Sequence, residues 1–231
     1  MERLVEAEWL DRLPPNDKRA VRSRQDLRRL NYLMGHVGMM ARLFHRAAPA
    51  GNRCHLADLG AGDGTFTLEL VRHLSPRFRF DMVTLVDRLA LLSAETHASF
   101  VELGCTVETI RGDVFTWLQN ARPATVITAN LFLHHFTDDS LATLLKLAAE
   151  RSEVFIACEP RRSWLSRTGS GLLGLLGCNG VTRHDAVVSV RAGFAEGEIS
   201  RLWPESGRWA LEERHVRLVS HWFLARRLAK S

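Results

Sequence analysis

A glycine-rich run, Asp58-Leu-Gly-Ala-Gly-Asp-Gly64, stands between an apolar stretch and a segment with helical spacing. Glycine lets a backbone take positive φ and approach a ligand closely, and a helix that begins there offers unpaired N–H groups. Asp87 closes the next apolar stretch, where a carboxylate can accept both hydroxyls of a ribose. A third acid, Asp113, follows the third stretch in Arg111-Gly-Asp-Val114. The glycines fall at 60, 62 and 64 and residue 65 is threonine, which departs from the dinucleotide pattern G-x-G-x-x-G. A G-x-x-x-x-G-K-[ST] phosphate loop is absent from the sequence. Asp58, two residues before the first glycine, would repel a pyrophosphate but suits the ammonium of a zwitterionic amino acid. Isolated carboxylates that end apolar strands are costly without a partner. Asp113 has a second reading, as the cap of a short helix that starts at Phe115.

Two further groups can carry chemistry. His134-His135 follows the fourth apolar stretch, at the strand ends where ligands bind in sheets of this kind. Histidine is tuned to accept a proton near neutral pH. On an extended chain the two rings point opposite ways, so one of them is expected to face a substrate. His184-Asp185 can act as a base with its orienting carboxylate, and Arg191 can hold an anionic substrate group. Each of these has a plain alternative as a surface or packing residue. No pair of histidines or carboxylates has the spacing of a metal site, so none is expected.

The elements that must position these residues alternate. Apolar strands are predicted over 54–59, 82–86, 106–110, 125–132 and 154–157, with helices over 65–74, 89–103, 115–120 and 140–151 between them. Such alternation implies right-handed parallel crossovers and a layered sheet. Residues 209–216 and 220–227 are two more strands, close enough to pair as an antiparallel hairpin. Ahead of the sheet, residues 2–12 have helical spacing and Pro14-Pro15 ends that element. Residues 18–46 read as two helices joined near Gly35, with Asn16 or Asp17 as a cap. Residues 161–183 are rich in Gly, Ser, Arg and Leu and read as a mobile cover. A helix over 184–194 and another over 196–203, stopped by Pro204, complete the chain.

The order of glycine turn and acidic strand ends resembles the class I S-adenosylmethionine-dependent methyltransferases, over residues 50–160 and in the closing hairpin. The resemblance implies an α/β Rossmann-like fold: a seven-stranded sheet, mostly parallel, with helices on both faces. An N-terminal helical cap (1–48) would precede a cofactor-binding domain (49–231) that carries a substrate cover near 161–194. It implies S-adenosylmethionine as cofactor. Asp58 and the turn with Gly60, Ala61 and Gly62 would hold its methionine part, and Asp87 its ribose. Arg88 or Leu89 would pack near the adenine, Asp113 would accept from the adenine amino group, and Val114 would donate its backbone N–H. Asn130 and Leu131 match the family's position beside the methionine end. Asn31, Tyr32, Gly35 and His36 can line the cofactor from the N-terminal extension. His134 and His135 are then the candidates for a base or acceptor-positioning group, and His184 and Arg191 for substrate contacts.

Bulk properties bound the rest. With 231 residues, 46% hydrophobic and 25% charged, the chain has an ordinary globular balance. No apolar run approaches the length of a membrane span, and the first residues lack a secretory core. Four widely spaced cysteines contain no C-x-x-C pair. A cytoplasmic protein with free thiols is expected. The net charge of +5 is concentrated between Lys18 and Arg46. Few aromatics accompany those bases, so a solvated helix face is favoured over a nucleic-acid surface. The expected function is methylation of a small molecule, at a hydroxyl of an aromatic or polyketide-like metabolite. The alternatives are an RNA or protein methyltransferase and a non-catalytic cofactor-binding protein. Asn130-Leu-Phe-Leu133 stands where base-modifying enzymes carry Asn/Asp-Pro-Pro-aromatic.

Overall fold

The computed structural model describes residues 2–48, 53–163, 173, 176–216 and 218–229. Five parallel strands, β1 (Arg53–Leu59), β2 (Arg79–Asp87), β3 (Thr106–Arg111), β4 (Ala124–Asn130) and β5 (Ser152–Pro160), are joined by an antiparallel pair, β6 (Trp209–Val216) and β7 (Ser220–Arg227). The strand order is β3-β2-β1-β4-β5-β7-β6. Successive side chains point to opposite faces of a sheet. Leu56, Val83, Val126 and Ile156 therefore pack under α3 (His36–Ala47) and α4 (Thr65–Leu74). Ala57, Val86, Ile127 and Phe155 pack on the other face, toward α6 (Val114–Asn120) and α7 (Asp138–Arg151). Burial on both faces explains the near-continuous apolar strands.

Caps fix several boundaries. The Asp17 carboxylate accepts from the Arg19 N–H at the start of α2 (Lys18–Met34), and Gly35, at φ 68°, turns the chain into α3. Ser93 caps α5 (Ala94–Glu102), so this helix begins five residues later than its apolar spacing predicts. β4 stops at Asn130 rather than at 132: Leu131 adopts φ 52°, and residues 133–135 form a 3-10 turn. Asn179 caps α8 (Gly180–Ala192), and Gly197, at φ 81°, opens the short α9 (Glu198–Leu202). About half of the predicted cover, residues 164–172 with 174 and 175, lies outside the described residues.

The N-terminal segment divides in two. Met39, Met40, Leu43 and Phe44 of α3 belong to the core beneath the sheet. Residues 3–12 instead form a strap across the rim, helical only at α1 (Trp9–Arg12). The predicted helix over 2–12 is not formed there because the strap finds distant partners. The Leu4 N–H donates to the Arg191 carbonyl, and Arg3 donates to the carbonyls of Phe136 and Ala192. In α2, Arg22 and Arg29 lie 3.3 and 3.9 Å from Asp26, and Arg28 lies 3.4 Å from Asp63 of the glycine turn, so much of the basic stretch is balanced locally. Among the described residues no helix is long and apolar enough to cross a membrane.

Gly193 joins α8 to the sheet. The Phe194 N–H donates to the Pro160 carbonyl at 3.0 Å, and a Cβ on Gly193 would meet that oxygen at 2.3 Å. Gly193→Ala should therefore push α8 off the rim. A cost of about 2 kcal/mol is expected for such overpacking, which lowers Tm by roughly 4–8 °C for a chain of this size. Thermal unfolding followed by circular dichroism checks this, and an unchanged Tm would refute the close packing.

Candidate active site

The carboxyl ends of β1, β2 and β4 converge on the glycine turn. Gly60, Gly62 and Gly64 have φ 70°, 57° and 74°, a sequence that only glycines adopt without strain. Gly60 has a second constraint, since a Cβ there would lie 2.2 Å from the Phe132 ring. Beside Gly62, by contrast, nothing lies within 4 Å of the Cβ position, which leaves open space for a ligand. Gly60 and Ala61 donate their N–H groups to the Val86 carbonyl at 2.9 and 3.2 Å. The Asp87 carboxylate braces the turn, accepting from Gly62 N–H at 2.9 Å and from Leu89 N–H at 2.8 Å.

Asp58 is buried at the floor. One oxygen accepts from the Thr67 hydroxyl and the other from the Thr128 hydroxyl at 2.7 Å. Burial, with a smaller contribution from Asp87, raises its pKa to about 6 although both threonines oppose the shift. Each carboxylate oxygen keeps a further lone pair for a donor in the cavity.

A cavity of about 420 Å³ runs from Asp58, Gly60, Ala61 and Gly62, past Asn130 and Leu131, to His134 and His135. Its apolar walls come from Leu27, Leu30 and Met34 of α2, Leu10 of the strap, and Val190 of α8. Asn31 lines it and accepts from the Asn130 side-chain amide at 3.0 Å. The Asn130 oxygen lies 2.7 Å from His36 Nδ1, and His36 Nε2 lies 2.9 Å from the Ser220 hydroxyl. Burial lowers the His36 pKa, and in the neutral ring that carries its proton on Nδ1, Nδ1–H donates to the Asn130 oxygen while Nε2 accepts from Ser220. His36 thus holds Asn130 from behind. Tyr32 points away, 86% exposed, and Gly35 serves the helix joint.

Asp87, Arg88, Asp113 and Val114 sit at the neighbouring strand ends, outside this cavity's wall. The Asp113 carboxylate accepts from the N–H groups of Phe115 and Thr116 at 3.0 and 3.2 Å, so the capping reading of this acid is realised. Arg88 is exposed and Val114 is buried in the core.

The histidine pair departs from expectation. The 3-10 turn replaces the extended chain and brings both rings to the cavity, with centroids 4.3 Å apart. His134 Nδ1 lies 2.8 Å from Glu159, whose other oxygen accepts from the N–H groups of Phe132 and Leu133. On the opposite side, His134 Nε2 faces Glu8 of the strap at 3.4 Å. Burial works against a proton on His134, but hydrogen bonds and charge from Glu159 and Glu8 outweigh it and lift its pKa to about 9. Glu8 falls to about 2 although burial opposes the shift, because His134 stabilises its charge. Burial and the neighbouring His134 charge lower the His135 pKa.

The placement of His184 and Arg191 requires a correction. Neither lines the cavity. His184 stacks on Trp9 at 3.8 Å, and Asp185 caps the strap by accepting from the N–H groups of Trp9 and Leu10. Arg191 pairs with Glu6 at 2.9 Å. These side chains fasten the strap to α8, which occupies the atoms that a substrate would need. Glu8 and Ser189, missed in the sequence, stand at the cavity instead. Glu8 carries no local signal, since its partners are more than a hundred residues away.

The fold places the chain among Rossmann-like sheets with the topology of S-adenosylmethionine-dependent methyltransferases. It is similar to the plantazolicin methyltransferase BpumL in complex with a triazolic desmethylPZN analog and SAH, at TM-score 0.65 and 13% identity, covering 95% of this chain and 93% of that one. An O-methyltransferase family protein from Burkholderia thailandensis gives 0.63 and 17% identity, with 94% of this chain and 62% of that one covered, so this chain spans less than two thirds of that protein. Magnesium protoporphyrin IX methyltransferase from Synechocystis PCC 6803, with bound SAM, gives 0.55 and 13% identity over 89% and 84%. No protein-family model and no curated protein matches the chain.

Proposed function

We propose that this protein transfers a methyl group from S-adenosylmethionine to a hydroxyl of a small aromatic or polyketide-like acceptor. The main support is the single cavity that joins the glycine turn and Asp58 to Glu8, His134 and His135 through apolar walls. Its volume suits a small molecule, and methyltransferases of the same fold have been crystallised with SAH or SAM.

When bound, the cofactor supplies an activated sulfonium methyl group. Asp58 receives its ammonium, and the open space at Gly62 admits the chain beyond it. Asp87 would hold the ribose hydroxyls, with Arg88, Asp113 and Val114 at the adenine end. Asn130, held by His36 and Asn31, borders the methionine end together with Leu131. Transfer disperses charge, so alignment in a dry pocket supplies much of the acceleration. The strap, α2 and α8 wall the cavity, while the Glu8, His134 and His135 cluster orients the acceptor hydroxyl and favours loss of its proton.

Cofactor affinity should depend on pH through Asp58. Its carboxyl ionises at about 6 in the free protein, while the ligand's ammonium stays charged from pH 5 to 7. A proton on Asp58 therefore competes with the ligand. Affinity should be full above this pKa and fall about tenfold per pH unit below it, as one proton is displaced on binding. Asp58→Asn should bind weakly with a flat profile. Equilibrium titrations with S-adenosylmethionine from pH 5 to 7 test this, and a constant wild-type affinity would remove Asp58 from the donor site.

A further inference from the structure

We infer that Glu8, His134 and His135 form a binding site for one divalent transition-metal ion of the zinc type in the cavity wall. The site's use in methyl transfer rests on the proposed function, whereas ion binding does not.

Each of the three residues offers one ligand atom, and these atoms lie within 4.8 Å of one another. Glu8 and His134 are buried and His135 is half-buried. His134 Nε2 and Glu8 Oε1 are 3.4 Å apart. That is long for a charge-assisted hydrogen bond, which closes to about 2.7–2.9 Å. It matches the ligand-to-ligand edge of a tetrahedral ion with bonds of about 2.0–2.1 Å, an edge of roughly 3.4 Å.

The surrounding contacts are those that orient ligands. His134 Nδ1 is committed to Glu159 at 2.8 Å, so Nε2, on the side of Glu8, is the ligand atom, and an ion bound there displaces its proton. Glu8 accepts from the Ser189 hydroxyl, and His135 Nδ1 lies 3.8 Å from Asp11. A carboxylate behind a metal-binding imidazole fixes its orientation and raises its basicity. Two imidazoles and one carboxylate suit zinc and its first-row neighbours rather than magnesium or calcium.

Three protein ligands leave a fourth position open, and all three line the cavity. An acceptor hydroxyl bound there is acidified by the ion and releases its proton to solvent. The oxygen then forms its bond to the methyl carbon as the carbon–sulfur bond breaks, and sulfur keeps the electron pair. The acceptor class narrows to hydroxyls able to ligate a metal, such as phenols.

The test uses untagged full-length protein, stripped with a chelator and titrated with zinc chloride against a chromophoric competitor. Wild type should bind one equivalent at this site, and Glu8→Gln and His135→Asn should each weaken that binding at least about 100-fold. His215→Asn alters a different histidine pair, in which His215 Nδ1 and His221 Nδ1 are 3.1 Å apart, and should leave zinc affinity unchanged. No bound equivalent in wild type, full retention by either Glu8→Gln or His135→Asn, or loss with His215→Asn would overturn the site. Titration of S-adenosylmethionine on the same samples should give affinities within about threefold of wild type. Absence of that binding would count against the methyl-transfer reading and leave the zinc result standing by itself.

Discussion

Replacing His135 by alanine should slow methyl transfer by about two to four orders of magnitude, the usual worth of a positioned group that manages a proton. Cofactor affinity should stay within about threefold, because the glycine turn is braced by Val86 and Asp87 rather than by His135. The His135 side chain is 27% exposed, so its loss opens space at the cavity wall without emptying the core. His134→Ala is a different experiment. It strips a buried cation from between Glu159 and Glu8, and breaking such a pair costs about 3–5 kcal/mol. Turnover and Tm should therefore fall together for His134→Ala, and turnover alone for His135→Ala. Steady-state rates with a phenolic acceptor and thermal melts separate the two, and normal turnover in His135→Ala would remove it from the reaction.

Asp87→Ala should weaken S-adenosylmethionine binding about 100- to 1,000-fold. In the proposed donor site its carboxylate accepts from two ribose hydroxyls, and each hydrogen bond to a charged group is worth about 1.5–3 kcal/mol. Losing two removes about 3–6 kcal/mol, and water that replaces the carboxylate offsets the upper part, which leaves roughly the 3–4 kcal/mol of a 100- to 1,000-fold change. Asp87 is half-buried at a strand end, so the variant should fold. Isothermal titration with the cofactor measures the change, and a loss below tenfold would place the ribose elsewhere.

The sheet was legible because its strands are buried on both faces and announce themselves as apolar runs. Helix lengths were less legible. Ser93 starts α5 where apolar spacing continues back to Leu89, and the Glu159 carboxylate captures the N–H groups of Phe132 and Leu133 that would have continued β4. The glycine turn and the acids at 58, 87 and 113 could be read because they lie beside the strands that carry them. The acceptor end could not. His134 and His135 were visible as a pair, but their shared orientation depends on Leu131 at φ 52° and on Glu159. Glu8 reaches them across 126 positions, which no local spacing encodes. His184, Asp185 and Arg191 had the chemistry of a site but spend it on Trp9, Leu10 and Glu6.

The long reach of the strap also sets an order of events during synthesis. Residues 3–8 leave the ribosome early, yet they attach to Phe136, His134, Ser189, Arg191 and Ala192. A chain translated from its N-terminus builds the glycine turn and the central strands first. The rim stays open until α8 emerges, so the floor of the cavity at the glycine turn forms before its wall is complete.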